Sequence, residues 1–167
     1  MAVLSVPWTL EAQGSAGSGA KLEPRYIVDL PTAGMLDRGA IGWDLEFYQD
    51  GGLLAGVSYG VFNWWSLGIF YGGSGLVGSG TPVMNPLPGF EIRFRPLEEN
   101  IALPAIVLGF SSQGRGAYIP ASDRYTYKSP GFFATLSKNY MMLGFLSIHG
   151  GVNYSLERAD GDRDMNV

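Results

Sequence analysis

Residues 57–73, VSYGVFNWWSLGIFYGG, alternate large and small side chains in two runs separated by a short hinge. In the first run Val57, Tyr59 and Val61 share one parity, and Ser58 and Gly60 the other. In the second, Trp65, Leu67, Ile69 and Tyr71 oppose Ser66, Gly68 and Gly72, with Phe70 the one large exception. Successive strand side chains point to opposite faces, so each run makes a strand with one bulky apolar face and one nearly bare face. A soluble sandwich shows water a face of Lys, Glu and Thr, and has no reason to fill it with Gly and Ser. A small membrane barrel inverts this, setting the bulky face against lipid and packing small or polar residues into the lumen.

The same alternation recurs along the chain. It predicts strands at Ile41–Tyr48, about Leu53–Val61, Trp65–Gly72, Phe90–Arg95, about Leu103–Ser111, about Gly131–Ser137 and about Gly144–Ser155. Helical periodicity is absent. The connections FNW, PLEEN and KNYM, after the second, fourth and sixth strands, are short. Long Gly/Pro or polar connections follow the third, fifth and seventh, and QDGG after the first is the short exception. Transmembrane barrels alternate short periplasmic turns with longer external loops in this way. Trp65, Tyr59, Tyr71, Tyr48 and Tyr140 lie near strand ends, where aromatic girdles sit at the two membrane interfaces. The expected fold is therefore all-β: an antiparallel up-and-down transmembrane β-barrel occupying residues 41–167, with about seven strands visible.

Seven is an odd count, whereas single-chain bacterial outer-membrane barrels have an even number beginning at eight. The expectation is an incomplete barrel, its N-terminal part, truncated at the C-terminus or at both ends. Residues 21–40 read as a periplasmic or lumenal lead-in segment. Residues 1–20, with a mildly apolar start and then mostly small residues, read as the remnant of an export signal or a flexible N-terminus.

Composition narrows the function classes. Charged residues make up 16 % of the chain, below the roughly 25 % of an average soluble domain, so an ordinary polar surface is not expected. The net charge of -4 and the lack of any Lys/Arg block argue against a nucleic-acid partner. With no cysteine there is no thiolate metal site and no cysteine nucleophile. DGDRD places carboxylates at Asp160, Asp162 and Asp164 but lacks the later Gly and Glu of a calcium loop, and GSGLVGSG lacks the Lys-Ser/Thr of a phosphate cradle. The first is set aside as a metal site, the second is read as a flexible loop, and no cofactor is expected.

DLPTAGMLDRGAIGWDLEFY, residues 29–48, resembles the start of bacterial outer-membrane barrel proteins in which a PTA element, a few residues and a Gly lead into the first strand. It is similar in particular to the YjbH-like barrels associated with exopolysaccharide export. The resemblance covers about residues 28–50. It implies an outer-membrane location, with the lipid bilayer and lipopolysaccharide as surroundings, and a link to surface polysaccharide or to export-machinery proteins. It transfers no catalytic residue.

Three groups of side chains could carry chemistry. Asp44, Glu46, Glu91, Arg93, Arg95, His149 and Asn153 share the inward parity, and in a narrow lumen their opposite charges would pair as a polar core. In a wide barrel they would line a pore. The loop RGAYIPASDRYTYKSP sets Arg115, Arg124 and Lys128 among Tyr118, Tyr125 and Tyr127, a mixture suited to sugar or lipopolysaccharide contacts, or simply to packing on itself. His149, with Ser147 and Ser155 on its own face, is the candidate for a Ser–His pair of the kind used by outer-membrane lipid hydrolases and acyltransferases, but no Gly-flanked serine motif or carboxylate partner accompanies it. The leading expectation is a non-enzymatic barrel with a structural or transport role. The alternatives are a lipid-modifying enzyme using His149 and a soluble lipocalin-like binding barrel.

Overall fold

The computed structural model describes residues 23–27, 30–121, 123–126, 131–141, 145–156 and 165–166. Seven long strands are present, each where the alternation places one: β1 (Ile41–Tyr48), β2 (Gly52–Phe62), β3 (Trp65–Ser74), β4 (Gly89–Leu97), β5 (Ala105–Ser111), β6 (Gly131–Met141) and β7 (Phe145–Ser155). Each pairs antiparallel with the next, and the resulting sheet curls into a half-barrel. No helix occurs among the described residues. Short strands extend this frame. Val83–Met84 continues along β3, and Met165–Asn166 runs antiparallel to β7 at Tyr154 and Asn153.

Local chemistry fixes the register. The β1–β2 turn carries positive φ at both Asp50 (59°) and Gly51 (63°), and Gly52 N–H donates to the Gln49 carbonyl at 3.2 Å. An Asp-Gly pair supplies the left-handed conformation that such hairpin turns demand. The loop after β3 was expected to be flexible. Instead Gly75 and Val77 N–H groups donate to the carbonyls of Asp50 and Gly51, at 2.9 and 3.0 Å, and staple it to this turn. Pro96, which has no N–H for a ladder, sits at a register shift between Phe94 and Leu97.

The two faces of the sheet are chemically inverted. Outward positions carry Ile41, Trp43, Leu45 and Phe47 on β1, Leu67, Ile69 and Tyr71 on β3, Phe90, Ile92 and Phe94 on β4, and Leu146, Ile148, Val152 and Tyr154 on β7, all exposed. Trp43 is 77 % exposed. Inward positions carry Ser58, Ser66, Glu91, Arg93, Thr135 and Ser137, all buried.

The inward glycines also explain Phe70. Gly56 faces Phe70 across the β2–β3 pair, Gly109 faces Phe133 across β5–β6, and Gly52 faces Tyr48 across β1–β2. In each case the ring lies where the glycine's Cβ would stand. The bare face is thus a set of slots in which aromatic rings lie flat against the sheet, an aromatic partner covering a cross-strand glycine. Tyr48 therefore belongs to the concave side and not to the outer girdle suggested by its place at the strand end.

One apolar cluster is buried among the described residues: Ala105 and Val107 of β5, Phe133 of β6, and Ala33 and Met35 of the segment preceding β1. The core is made by a strap laid across the concave face. Gly56→Val or Gly109→Val is expected to drive the facing ring out of its slot and to destabilise the fold by about 1–3 kcal/mol. The midpoint of denaturant unfolding measures the loss.

Candidate functional site

Charged positions on the concave strands cannot be left bare once water is excluded, because a buried unpaired ion costs several kcal/mol. Their partners come from outside the sheet. Arg93, 1 % exposed, donates from both Nη atoms to the Arg25 carbonyl at 3.2 Å and from Nη2 to the Thr32 carbonyl at 2.5 Å. Its guanidinium lies 5.2 Å from the Tyr26 ring centroid and 5.5 Å from that of Phe133. Asp44 pairs with Arg25, and Glu91 accepts the Tyr26 hydroxyl. Arg95 donates to Glu23 at 2.5 Å and to the Asn63 carbonyl at 3.2 Å, and Glu23 also accepts the Met35 N–H. Glu46 is met by Arg115 at 2.5 Å, whose guanidinium stands 4.5 Å from the Tyr26 ring centroid.

Residues 23–27 and 30–40 thus act as a counter-strand of charge and carbonyl groups. A short pairing of Tyr26–Ile27 with Leu30–Pro31 shapes the strap, and the Thr32 hydroxyl donates to the Pro24 carbonyl. At its far end the Gly39 and Gly60 N–H groups join it to β2 through the carbonyls of Gly60 and Ala40, at 2.7 and 2.9 Å. Beside the strap lies a cavity of about 330 Å³ lined by Tyr26, Asp44, Glu46, Glu91, Gln113 and Arg115.

The inward charged residues expected from parity all face the concave side, but the expected pairing among themselves is only slight. Glu91 and Arg93 approach to 3.5 Å, while the close partners of Asp44, Glu46 and Arg95 are Arg25, Arg115 and Glu23. Parity identified the demand for counter-charge. It did not show that Glu23 and Arg25, in a stretch with no alternation, meet it.

His149 lies half-buried on β7, and Asn153 lies on the same face with its backbone paired to Phe133. The His149 partner is Ser137 of β6, its cross-strand neighbour, with Oγ 2.7 Å from Nδ1. Ser147 and Ser155, suggested by strand position alone, are engaged elsewhere: the Ser147 hydroxyl donates to Asn139 at 2.5 Å, and Ser155 is buried at the other end of β7. Ser137 is 1 % exposed and its Oγ accepts the Ala33 N–H at 2.8 Å. The hydroxyl that accepts the Ala33 N–H is free to donate its own O–H to Nδ1, with the imidazole as acceptor there. The strap covers this Ser–His contact, so a substrate could reach Ser137 only by displacing it.

The loop after β5 folds back on itself. Tyr125 is buried and packs edge-on against Tyr118, with ring centroids 5.4 Å apart. Arg115 turns inward to Glu46, and Arg124 stays half-buried in a two-residue pairing with Ile119. Tyr127, Lys128 and the DGDRD carboxylates lie outside the described residues, as do residues 1–20. Among the described residues no group of three or more His, Asp and Glu side chains is arranged to hold a metal ion. No family model, curated protein or solved structure matches this chain.

Two outcomes follow from this geometry. Arg93→Met would leave Glu91 and two strap carbonyls short of a donor, and a cost of about 3–5 kcal/mol is expected in equilibrium unfolding. The Tyr118 hydroxyl donates to Asp123 at 2.5 Å, which holds its pKa above the ordinary tyrosine value. Absorbance titration should show Tyr118 ionising at lower pH in Asp123→Asn than in the parent.

Proposed function

We propose that this chain forms the wall of an outer-membrane β-barrel with a structural or transport role and no chemistry of its own. The observation that carries the reading is the inversion of the sheet: exposed apolar side chains cover the convex face, while charged residues are buried on the concave one. In water the convex face would be an apolar patch far larger than monomeric proteins show. Against hydrocarbon the same face costs nothing, and the polar interior is what barrel lumens contain.

Dimensions support the reading. From Leu146 to Tyr154 the outward row of β7 spans eight steps, about 27 Å along the strand, which a tilt of about 40° reduces to about 20 Å, against about 25 Å for the apolar band of such barrels. At the end of the half-barrel bearing the short β2–β3 turn, Trp64 stacks on Phe62 at 5.0 Å and meets Phe94 edge-on at 5.6 Å, an aromatic group at the level where a membrane interface would lie. Lys138 is on an outward position of β6, yet its Nζ bends to the Asn100 carbonyl at 2.5 Å and to Glu99 at 3.4 Å, taking the charge out of the belt. A lipocalin-like barrel would carry the opposite polarity, with its apolar face inside. The resemblance of residues 28–50 to YjbH-like barrels directs the transport role toward surface polysaccharide.

Ile69 sits near the middle of β3 on the convex face. Ile69→Lys is expected to destabilise the protein in phospholipid vesicles by about 2–4 kcal/mol, measured by reversible unfolding from the bilayer. A parent protein that stays monomeric and folded in buffer without detergent would overturn the membrane reading.

A further inference from the structure

The strap differs from a permanent core in what holds it. Of the strap's apolar side chains only Ala33 and Met35 are fully buried. The rest of the grip is polar: Arg93 on the carbonyls of Arg25 and Thr32, Asp44 on Arg25, Glu91 on Tyr26, Arg95 on Glu23, and Ser137 on the Ala33 N–H. Water replaces polar bonds nearly one for one, so a segment held by them leaves its site at far smaller net cost than one held by apolar burial.

Docking also leaves polar atoms unsatisfied. Arg25 Nη1 in the strap and Arg93 Nε beneath it are buried without a hydrogen-bond partner, as are Ser58 Oγ and Thr135 Oγ1 on the concave wall. Native interiors pair nearly all such groups. Undocking would hydrate Arg25 Nη1 and Arg93 Nε, which narrows the gap between the docked and released states. The cavity of about 330 Å³ at the strap's flank, lined by Tyr26 and Glu46, already leaves space beside it.

We propose that residues 23–27 and 30–40 form a displaceable plug. Docked, the plug closes the lumen. Released, it opens a passage walled by Asp44, Glu46, Glu91, Arg93 and Arg95. The proposal rests on the reading of the sheet as the wall of a membrane barrel.

The chain has no cysteine, so thiols can be introduced singly or in pairs. The protein is reconstituted in phospholipid bilayers and its ionic conductance recorded. Ala33→Cys with Ser137→Cys joins plug to wall at a place where Ala33 N and Ser137 Oγ are 2.8 Å apart. Oxidation of this pair should abolish openings, and reduction should restore them. Asp44→Asn, which releases Arg25, should raise the open fraction about tenfold, the effect of losing one part-buried ion pair. Glu23→Gln, which releases Arg95, serves the same purpose if Asp44→Asn fails to fold.

In parallel, labelling of the single variant Ser137→Cys by a small charged thiosulfonate reports plug motion independently of conduction. Labelling accelerated by Asp44→Asn or Glu23→Gln supports displacement, and its absence in every background shows a fixed core and overturns the proposal. Labelling that responds to these variants while no variant conducts would overturn the membrane-pore reading instead, and the gating role with it.

Discussion

A guanidinium or carboxylate shut away from water must find its counter-charge nearby, and the concave face of this sheet buries Glu91 and Arg93 almost completely. Everything on that side of the molecule answers this demand. The sheet alone cannot, because neighbouring inward positions on adjacent strands are mostly Gly, Ser and Thr. The strap brings Glu23, Arg25, the Tyr26 hydroxyl and two carbonyls, and the loop after β5 brings Arg115. Small residues on the wall are the geometric condition for this solution. They leave a concavity deep enough to hold a second layer of backbone, and the rings of Tyr48, Phe70 and Phe133 fill the slots over its glycines.

The polarity of the sheet was legible in the sequence because strand periodicity is local and needs no knowledge of partners. All seven strands and their facing sets could be read from alternation, and the Asp-Gly turn from its own chemistry. Strand ends were less exact. β2 begins at Gly52 and β6 runs on to Met141, since pairing with a neighbour extends a strand past the residues whose pattern announces it. Parity likewise assigned Asp44, Glu46, Glu91, Arg93, Arg95, His149 and Asn153 to one face.

Long-range partnership was not legible. Glu23 and Arg25 lie in a stretch with neither alternation nor helical period, and their role depends on a chain path that folds back by some seventy residues to Arg95 and Arg93. The partner of His149 was hidden for a related reason. Residues two apart on one strand look adjacent in the sequence, but the nearest inward neighbour across an antiparallel pair is set by register, and register places Ser137 there. The unbroken run PTAGM reads as a connection, yet Ala33 and Met35 supply the part of the apolar cluster that the sheet lacks.

The meander has one consequence for assembly that depends only on direction. In a meander of seven antiparallel strands the first and the last run the same way, so β1 and β7 present edges of like polarity. Two copies standing side by side with the same orientation would bring β7 of one against β1 of the other as a parallel pair, breaking the pattern that every other junction keeps. An all-antiparallel closure instead requires an odd number of intervening strands. Met165–Asn166 already runs against β7 in the sense that the first of them would take. Strand direction thus sets what can complete the cylinder without a parallel junction.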